Sequence, residues 1–454
     1  MAELERVLRE RVADLATRHN VPGLAVGVDL RGETFTVCHG VTHVKHPLPV
    51  DADTLFQIAS NSKVFTATLV MQLVAEGALG LDDPVRKHLP ALRMPDRRDD
   101  DRLEVRHLLS HRVGLDGDAL FVRQPQPPTL DNLFEGLALA RRLVPVGGPF
   151  TYCNAGFSVA GRLVEVLRGK PYEQVLRERL LAPLGMTRTC TRADDAIFHR
   201  VAMRHLSLPG REPVPLPGGG WQRGWELAPI DVPAGGLLSS AADLLRWLRF
   251  WLGRPDADTT PPLDAATRAA MCELQGAPWN AQSGQALGWS VRLDPAARVL
   301  NHGGLTAGYA SYTLFAPELD LAMVVLTNGT TGGLVHTALT RWLVGEVGGR
   351  AWADPTPLAI PPALERYTGS YWGAFGITRV RAVDGELELG TERHPTDDGS
   401  WQPPPDPPAR LRLCSDVLAI ATAPEASRGA LLDFDADASP PAWLRFGGRI
   451  SVRV

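Results

Sequence analysis

Residues 64–77, VFTATLVMQLVAEG, are apolar almost all the way round a helical wheel. A helix without a polar stripe offers no side to water, so this segment should be buried. Gly77 is a fitting C-terminal stop. At the head of the helix stands Lys63, three places after Ser60 in "FQIASNSKVF", in a chain where only four of the 47 Lys and Arg residues are lysine (Lys45, Lys63, Lys87 and Lys170). So apolar a helix leaves Lys63 no obvious solvated face.

The remaining pattern supplies what surrounds that helix. Residues 2–19 form an amphipathic helix with Leu4, Val7, Leu8, Val12 and Leu15 on one stripe. Residues 24–41 read as a hairpin turning at Arg31-Gly32. Helices follow near 158–168, 172–182 and 240–252, then strands at about 286–293, 297–301, 308–315 and 320–327, and a helix over about 333–346. The order fits an α+β domain: an antiparallel sheet assembled from both chain ends, with a separate helical lobe. Residues 210–225, rich in Pro and Gly, are a candidate rim or lid. "WADPTPLAIPPA" at 352–363 is a Pro-rich linker. Short alternating strands beyond it predict a small β-barrel, with 392–410 as a long mobile loop. The expected division is a first domain over 1–350, a linker over 351–363 and a barrel over 364–454.

Composition narrows the partners. The 454 residues are 44% hydrophobic with a net charge of −4 and no polybasic block, which argues against nucleic acid. Five cysteines (Cys38, Cys153, Cys190, Cys272, Cys414), odd in number and without C-x-x-C spacing, read as reduced thiols of a cytosolic protein. The amphipathic start lacks an apolar core, so no signal peptide is expected, and no stretch approaches the 18 apolar residues of a membrane span.

Chemistry concentrates on Ser60. Positions i and i+3 share a helix face, so the Lys63 amine reaches the Ser60 hydroxyl. A serine hydroxyl is a poor nucleophile until a base takes its proton. Lysine serves as that base only when neutral, which burial favours; arginine stays protonated. The first helical turn also lends the Ser60 N–H to an oxyanion hole. Two further elements follow: Tyr152-x-Asn154 in "TYCN", and His302-x-Gly304 in "NHGGLTAGY" at the end of an expected strand. The patterns S-x-x-K, Y-x-N and H-x-G each occur once, in this order.

That ordered set resembles the serine β-lactamase and penicillin-binding-protein superfamily, in its class C-like branch. "VRHLLSHRVGL" (105–115), "LLAPLGMTRT" (180–189) and "PAGGLLSSAADLLRWL" (233–248) look like its framework segments, so the likeness spans about residues 5–350. The barrel resembles a lipocalin-like domain attached to some members. The resemblance implies that Ser60 is acylated, Lys63 is its general base and Tyr152 orients or relays the proton. It implies that Asn154 bonds the substrate amide or Lys63. Gly303 and Gly304 let substrate approach the strand, and the Leu305 N–H is the second oxyanion donor. His302 stands where the family's K-[ST]-G lysine is familiar. It points toward peptidase, esterase and cyclase relatives, and as a histidine it is expected to titrate near neutral pH.

The reaction expected is acyl transfer through a Ser60 acyl-enzyme, without cofactor or metal. The first reading is a stand-alone thioesterase that takes a peptidyl thioester from a carrier protein and cyclises it head to tail. The alternative is a cytosolic D-aminopeptidase, D-stereospecific peptidase or esterase. A β-lactamase, a D-Ala-D-Ala carboxypeptidase and a non-enzymatic sensor on the same fold rank lower. His107 and His111, spaced i, i+4, lack the H-E-x-x-H context of a zinc site. "GFSVAG" at 156–161 only approaches a G-x-S-x-G elbow. Trp221, Trp225 and Trp372 fit a cleft lining and core packing equally. Arg449, in "RFGGRISV", reads first as a barrel-lip arginine and second as an anchor for an anionic group at the domain interface.

Overall fold

The amphipathic start of the chain forms α1 (Ala2–Arg18). Arg31 and Gly32, at φ 54° and 87°, then turn β1 (Gly23–Leu30) into β2 (Glu33–Gly40). Two positive φ values in a two-residue loop match the twist of the flanking strands. The computed structural model describes residues 1–118, 127–208, 210–216, 225–280, 282–295, 297–394 and 407–454. Helices α2 (Ser62–Ala75), α3 (Asn154–Arg168) and α4 (Ala241–Trp251) belong to the middle of the chain. Strands β3 (Ser283–Gln285), β4 (Ser290–Leu293), β5 (Arg298–Thr306), β6 (Tyr309–Ala316) and β7 (Leu321–Thr327) follow, then α5 (Gly332–Gly348).

These strands form one antiparallel sheet in the order β2-β1-β7-β6-β5-β4-β3. The first strand of the chain pairs with the last of the sheet, from Leu24 opposite Thr327 to Leu30 opposite Leu321. Both faces are covered, which the period of two in β7 records. Leu321, Met323 and Val325 pack with α1 and α5, whereas Ala322, Val324 and Leu326 join the core containing α2 and α4. Gly27 of β1 faces Leu245 of α4, where an added Cβ would sit 2.8 Å from Leu245 Cδ1. In α2 every residue from Ser62 to Leu73 is buried, as its apolar circumference requires.

Two strand expectations change. Residues 286–293 are not one strand: Ala286–Trp289 make a tight turn, closed by the Ala286 N–H on Trp289 O at 2.8 Å, with Gly288 at φ 80°. Strand β5 runs on past residue 301 to Thr306, so His302 lies mid-strand rather than at its end. Glycines weaken strand propensity, and a reading by propensity stops at Gly303-Gly304. The chain continues because β6 pairs the whole length, with Ser311 opposite Gly304.

No helix or strand interrupts 351–363. Beyond it, β8 (Gly369–Gly373), β9 (Gly376–Val383), β10 (Glu386–Arg393), β11 (Ala409–Leu413), β12 (Leu418–Ala423), β13 (Leu431–Phe434), β14 (Trp443–Phe446) and β15 (Arg449–Arg453) close into an antiparallel barrel. Closure is β15 on β8, Tyr371 opposite Arg453. Leu387, Leu411, Leu432 and Leu444 pack with Tyr367, Tyr371 and Phe434 into the core of this second unit. Residues 217–224, including Trp221, and 395–406 lie outside the described residues, and with them half of the expected rim loop and most of the expected mobile loop; the described part of the rim holds a short strand, Arg211–Pro215, paired with His205–Leu208. Among the described residues, no helix is long and apolar enough to cross a membrane.

Candidate active site

Ser60 sits in a one-turn 3₁₀ segment, Ala59–Asn61, that feeds directly into α2. Five hydrogen bonds hold this turn. The Ser62 hydroxyl donates to Ala59 O at 2.6 Å and accepts from the Leu237 N–H at 3.0 Å. The Ser311 hydroxyl donates to Ile58 O at 2.7 Å. The Asn61 amide donates to Ser311 Oγ at 2.8 Å and its oxygen accepts from Thr313 Oγ1. Ala59 is held at φ 48°, a left-handed conformation costly for a residue with a Cβ. Ala59, Asn61 and Ser62 are buried while Ser60 is half-exposed, so the turn presents that one hydroxyl to the cleft.

Lys63 is wholly buried. Its Nζ donates to Ser60 Oγ at 3.0 Å and to Ala234 O at 2.5 Å, and stands 5.0 Å from the Tyr152 ring centre. Burial pulls its pKa down to about 7, against the pull of the Asp118 carboxylate toward the charged form. An amine poised there gains and loses a proton near neutrality, as a general base must. The Tyr152 hydroxyl is hydrogen-bonded to Ser60, and burial raises its pKa, so it stays a neutral phenol fit to relay a proton.

His302 is buried on β5, its ring centre 6.3 Å from that of Tyr152. Burial, and secondarily the charge of Lys63, depress its pKa to about 3. The expectation that it titrates near neutral pH is therefore replaced: the imidazole is neutral, and Lys63 is the group that titrates there. Nδ1 bonds Gly303 O at 2.8 Å, which leaves Nε2 of the neutral ring with a lone pair. β4 pairs with β5 only as far as Asn301 opposite Ser290. From His302 to Thr306, that edge carries no partner strand among the described residues, an edge to which an extended peptide can add. An added Cβ at Gly304 would overlap Ile58 O, so glycine lets β5 approach the nucleophile turn. Leu305, 69% exposed, presents its side chain to solvent beside it.

Asn154 opens α3, and its Nδ2 is donated to Asp118 rather than to Lys63. Arg449 gains a partner beyond its first reading. It stands at the barrel hairpin with its side chain 34% exposed, yet it reaches the first domain. Its Nε donates to Asp118 Oδ2 at 2.6 Å, and its guanidinium lies 4.8 Å from the Tyr152 ring centre. Gly447 and Gly448, at φ 57° and 79°, fold the β14–β15 turn so that Gly448 O accepts the Tyr152 N–H at 2.8 Å. A barrel hairpin thus forms one wall of the site.

Asp118 and His111 belong here too; no motif in the sequence marked Asp118, and His111 stood out only as a framework residue and as half of a zinc-type pair. The His111 ring stacks on Tyr152 at 4.2 Å, and Nδ1 accepts the Cys153 N–H at 2.9 Å. Burial keeps it neutral. His107 instead takes part in the capping of residues 105–109, so the i, i+4 pair serves two separate packing roles. Among the described residues, no group of three or more His, Cys, Asp or Glu side chains has metal-holding geometry. Ser158 of "GFSVAG" is buried within α3 and is no nucleophile elbow. Trp225 is core, its indole N–H donating to Tyr309 Oη at 2.9 Å. Trp372 is half-buried on the barrel, with Arg141 at 4.3 Å from its ring centre.

A serine joined to a buried lysine and a tyrosine, on a helix behind an antiparallel sheet, defines a serine hydrolase or acyltransferase of the β-lactamase fold. The chain belongs to the Beta-lactamase family, whose model matches residues 4–345. Penicillin-binding protein 4 of Amycolatopsis lactamdurans is 33% identical over 372 residues, 79% of this chain and 96% of that protein. Unguisins hydrolase ungD' of Aspergillus campestris is 26% identical over 420 residues, 81% of this chain and 76% of its own length. The crystal structure of SurE, 25% identical, superposes with a TM-score of 0.75 over 100% of both chains, barrel included. The structure of SurE with D-Leu, 26% identical, gives 0.73, also over 100% of both.

Proposed function

We propose that this chain is a stand-alone thioesterase that takes a nonribosomal peptide from its carrier-protein thioester onto Ser60 and closes it head to tail. The observation that carries the reading is the barrel hairpin against Tyr152, a wall placed where the acyl group and its acceptor must meet. Neutral Lys63 takes the Ser60 proton, and Oγ attacks the thioester carbonyl. The Ser60 and Leu305 N–H groups face the developing oxyanion. The C–S bond breaks, and the thiolate leaves with the proton returned from Lys63 through Tyr152. The peptide's own amine then attacks the Ser60 ester. The C–O bond to Ser60 breaks, and the amine proton passes by Lys63 and Tyr152 back to Ser60 Oγ. In this reading His302 Nε2 accepts a hydrogen bond from the incoming amine, and Asn154 and Arg449 hold the peptide with the groups that Asp118 leaves them.

Cyclisation has to outrun water. A well-oriented amine on the same chain reaches an effective molarity of about 10⁵ M, against roughly 55 M for water. Leu305 and Phe375, 69% and 51% exposed, add apolar surface for a peptide to cover. The likeness to SurE through the barrel supports this reading, and its D-Leu structure supports a D-residue in the peptide. A carrier protein as partner goes with a cytosolic location.

A second reading, hydrolysis by a D-aminopeptidase, D-stereospecific peptidase or esterase, is favoured by the likeness to the unguisins hydrolase. A β-lactamase or carboxypeptidase recedes because neutral His302 replaces the lysine of the third motif. The hydrogen-bonded Ser60, Lys63 and Tyr152 argue against a sensor. The test presents N-acetylcysteamine thioesters of linear peptides, with a D-residue at the acyl end, to the full-length chain. Cyclic product supports the cyclase. Free acid alone, across several lengths and both chiralities, selects the hydrolase. Absence of any adduct on Ser60 by intact mass returns the sensor.

A further inference from the structure

Asp118 lies three residues past the framework segment 105–115 and no motif marks it, yet its side chain is only 3% exposed and sits between the two units. Oδ1 accepts from Asn154 Nδ2 and, at 3.4 Å, from Arg449 Nη2. Oδ2 accepts from Arg449 Nε at 2.6 Å. One carboxylate thus receives an amide from the first residue of α3 and a guanidinium fork from the first residue of β15. The backbone between is gripped in the same direction. Gly448 O takes the Tyr152 N–H at 2.8 Å, and the Ile450 N–H donates to Thr151 Oγ1 at 3.1 Å. Thr151, Tyr152 and Asn154 are therefore all fastened to the β14–β15 hairpin, and Asp118 makes the link to Asn154.

We propose that Asp118 is a positioning residue: by tying Asn154 to Arg449 it couples the barrel to the acyl-transfer centre and balances the charge that Lys63 feels. The proposal rests on reading Ser60, Lys63 and Tyr152 as that centre, but not on which acceptor attacks. The charges around Lys63 come from several elements. Asp118 and His111 lie on the 105–118 segment, Tyr152 and Cys153 before α3, Asp231 before Ala234, His302 on β5 and Arg449 on β15. His302 and His111 are held neutral and burial raises the Tyr152 and Cys153 pKa values, so Asp118 and Arg449, with Asp231, set the balance. Lys63 Nζ and the Arg449 guanidinium lie 5.0 and 4.8 Å from the same Tyr152 ring centre, so the Arg449–Asp118 pair stands one ring from the amine, Asp118 acting for the Lys63 cation and Arg449 against it. Asp116, whose backbone neighbour Asp118 donates its N–H to Asp116 Oδ1 at 3.3 Å, has a pKa pushed up to about 6, mainly by burial, and is the nearest other carboxyl of that segment.

Four lysines make the test direct. In full-length protein carrying ¹³C-labelled lysine, the Lys63 signal, assigned by its loss in Lys63→Ala, is titrated without substrate. Asp118→Asn is expected to move its midpoint to lower pH by roughly one pH unit, the low end for an opposite charge nearby. Arg449→Gln is expected to move it to higher pH, the double variant to fall between, and Asp118→Glu to keep the parent midpoint. Acylation by p-nitrophenyl butyrate should follow, its rising pH limb shifting with each midpoint. A carboxylate that only fastens the domains would lower stability and leave the midpoint in place. An unmoved midpoint in folded Asp118→Asn, or the same direction of shift in Arg449→Gln, overturns the proposal. Should Asp118→Asn not fold, the upward shift in Arg449→Gln decides alone. Since the midpoint is read without substrate, its result stands apart from whether cyclic product forms.

Discussion

A lysine shut away from water either finds a carboxylate or gives up its proton. Lys63 does the latter. Its donors go to a hydroxyl and a carbonyl, Ser60 and Ala234, and burial takes its pKa to about 7. This explains why lysine stands here in a chain that uses arginine for all but four of its 47 Lys and Arg residues. Lys63→Arg should cut the acylation rate at least about 10²-fold, because a guanidinium cannot give up a proton to become the base. In the parent, acylation of an activated ester should rise with pH through about 7 and level off above, as neutral Lys63 accumulates. His302, neutral from a pKa of about 3 upward, should add no limb of its own. Stopped-flow acylation between about pH 5 and 9 checks both, and a second limb lost in His302→Gln would contradict the assignment.

Among the elements, β5 matters most, and its two glycines do different jobs. An added Cβ at Gly304 overlaps Ile58 O and Ser311 Oγ, which hold the Ser60 turn, whereas at Gly303 it meets only the Tyr312 ring at 3.6 Å. Gly304→Ala is therefore expected to lose about 1–3 kcal/mol, as overpacked cores do, and to slow acylation by pushing β5 off the turn. Gly303→Ala should leave both close to the parent. Urea melts and ester acylation on the pair decide. Equal effects would mean that β5 does not bear on the nucleophile. The S-x-x-K, Y-x-N and H-x-G spacings were legible because each is local. The run of β5 past residue 301 was not, because its strand character comes from pairing with β6 and not from its own residues.

Across the whole molecule, the barrel is fastened by a buried ion pair. Arg445, 5% exposed in its side chain, pairs with Asp433 and donates to Phe150 O at 2.7 Å and Trp279 O at 3.2 Å. Phe150 and Trp279 stack 4.0 Å apart beneath it. Arg445→Ala leaves Asp433 buried without its partner, a change that typically costs about 3–5 kcal/mol. It should also reduce acylation, since Arg445 lies on β14, the first strand of the hairpin that carries Gly448 and Arg449. Denaturant unfolding and ester kinetics on Arg445→Ala read both effects. Lost stability with unchanged acylation would show that the hairpin holds its place without the clamp.

The sequence by itself determined the local features: a helix too apolar to be exposed, a lysine one turn from a serine, a hairpin at Arg31-Gly32, and short alternating strands beyond a Pro-rich stretch. Each is a matter of periodicity or spacing within a few residues, which the chain carries without reference to the rest of itself. Tertiary structure alone decided what Lys63, His302, Asp118 and Arg449 are to one another. Asp118 and Arg449 are 331 residues apart and meet only when the barrel docks. His302 was open to titration near neutral pH until burial beside Lys63 settled it as neutral. Charge states follow from burial and from neighbours distant in sequence, so no window of the chain contains them.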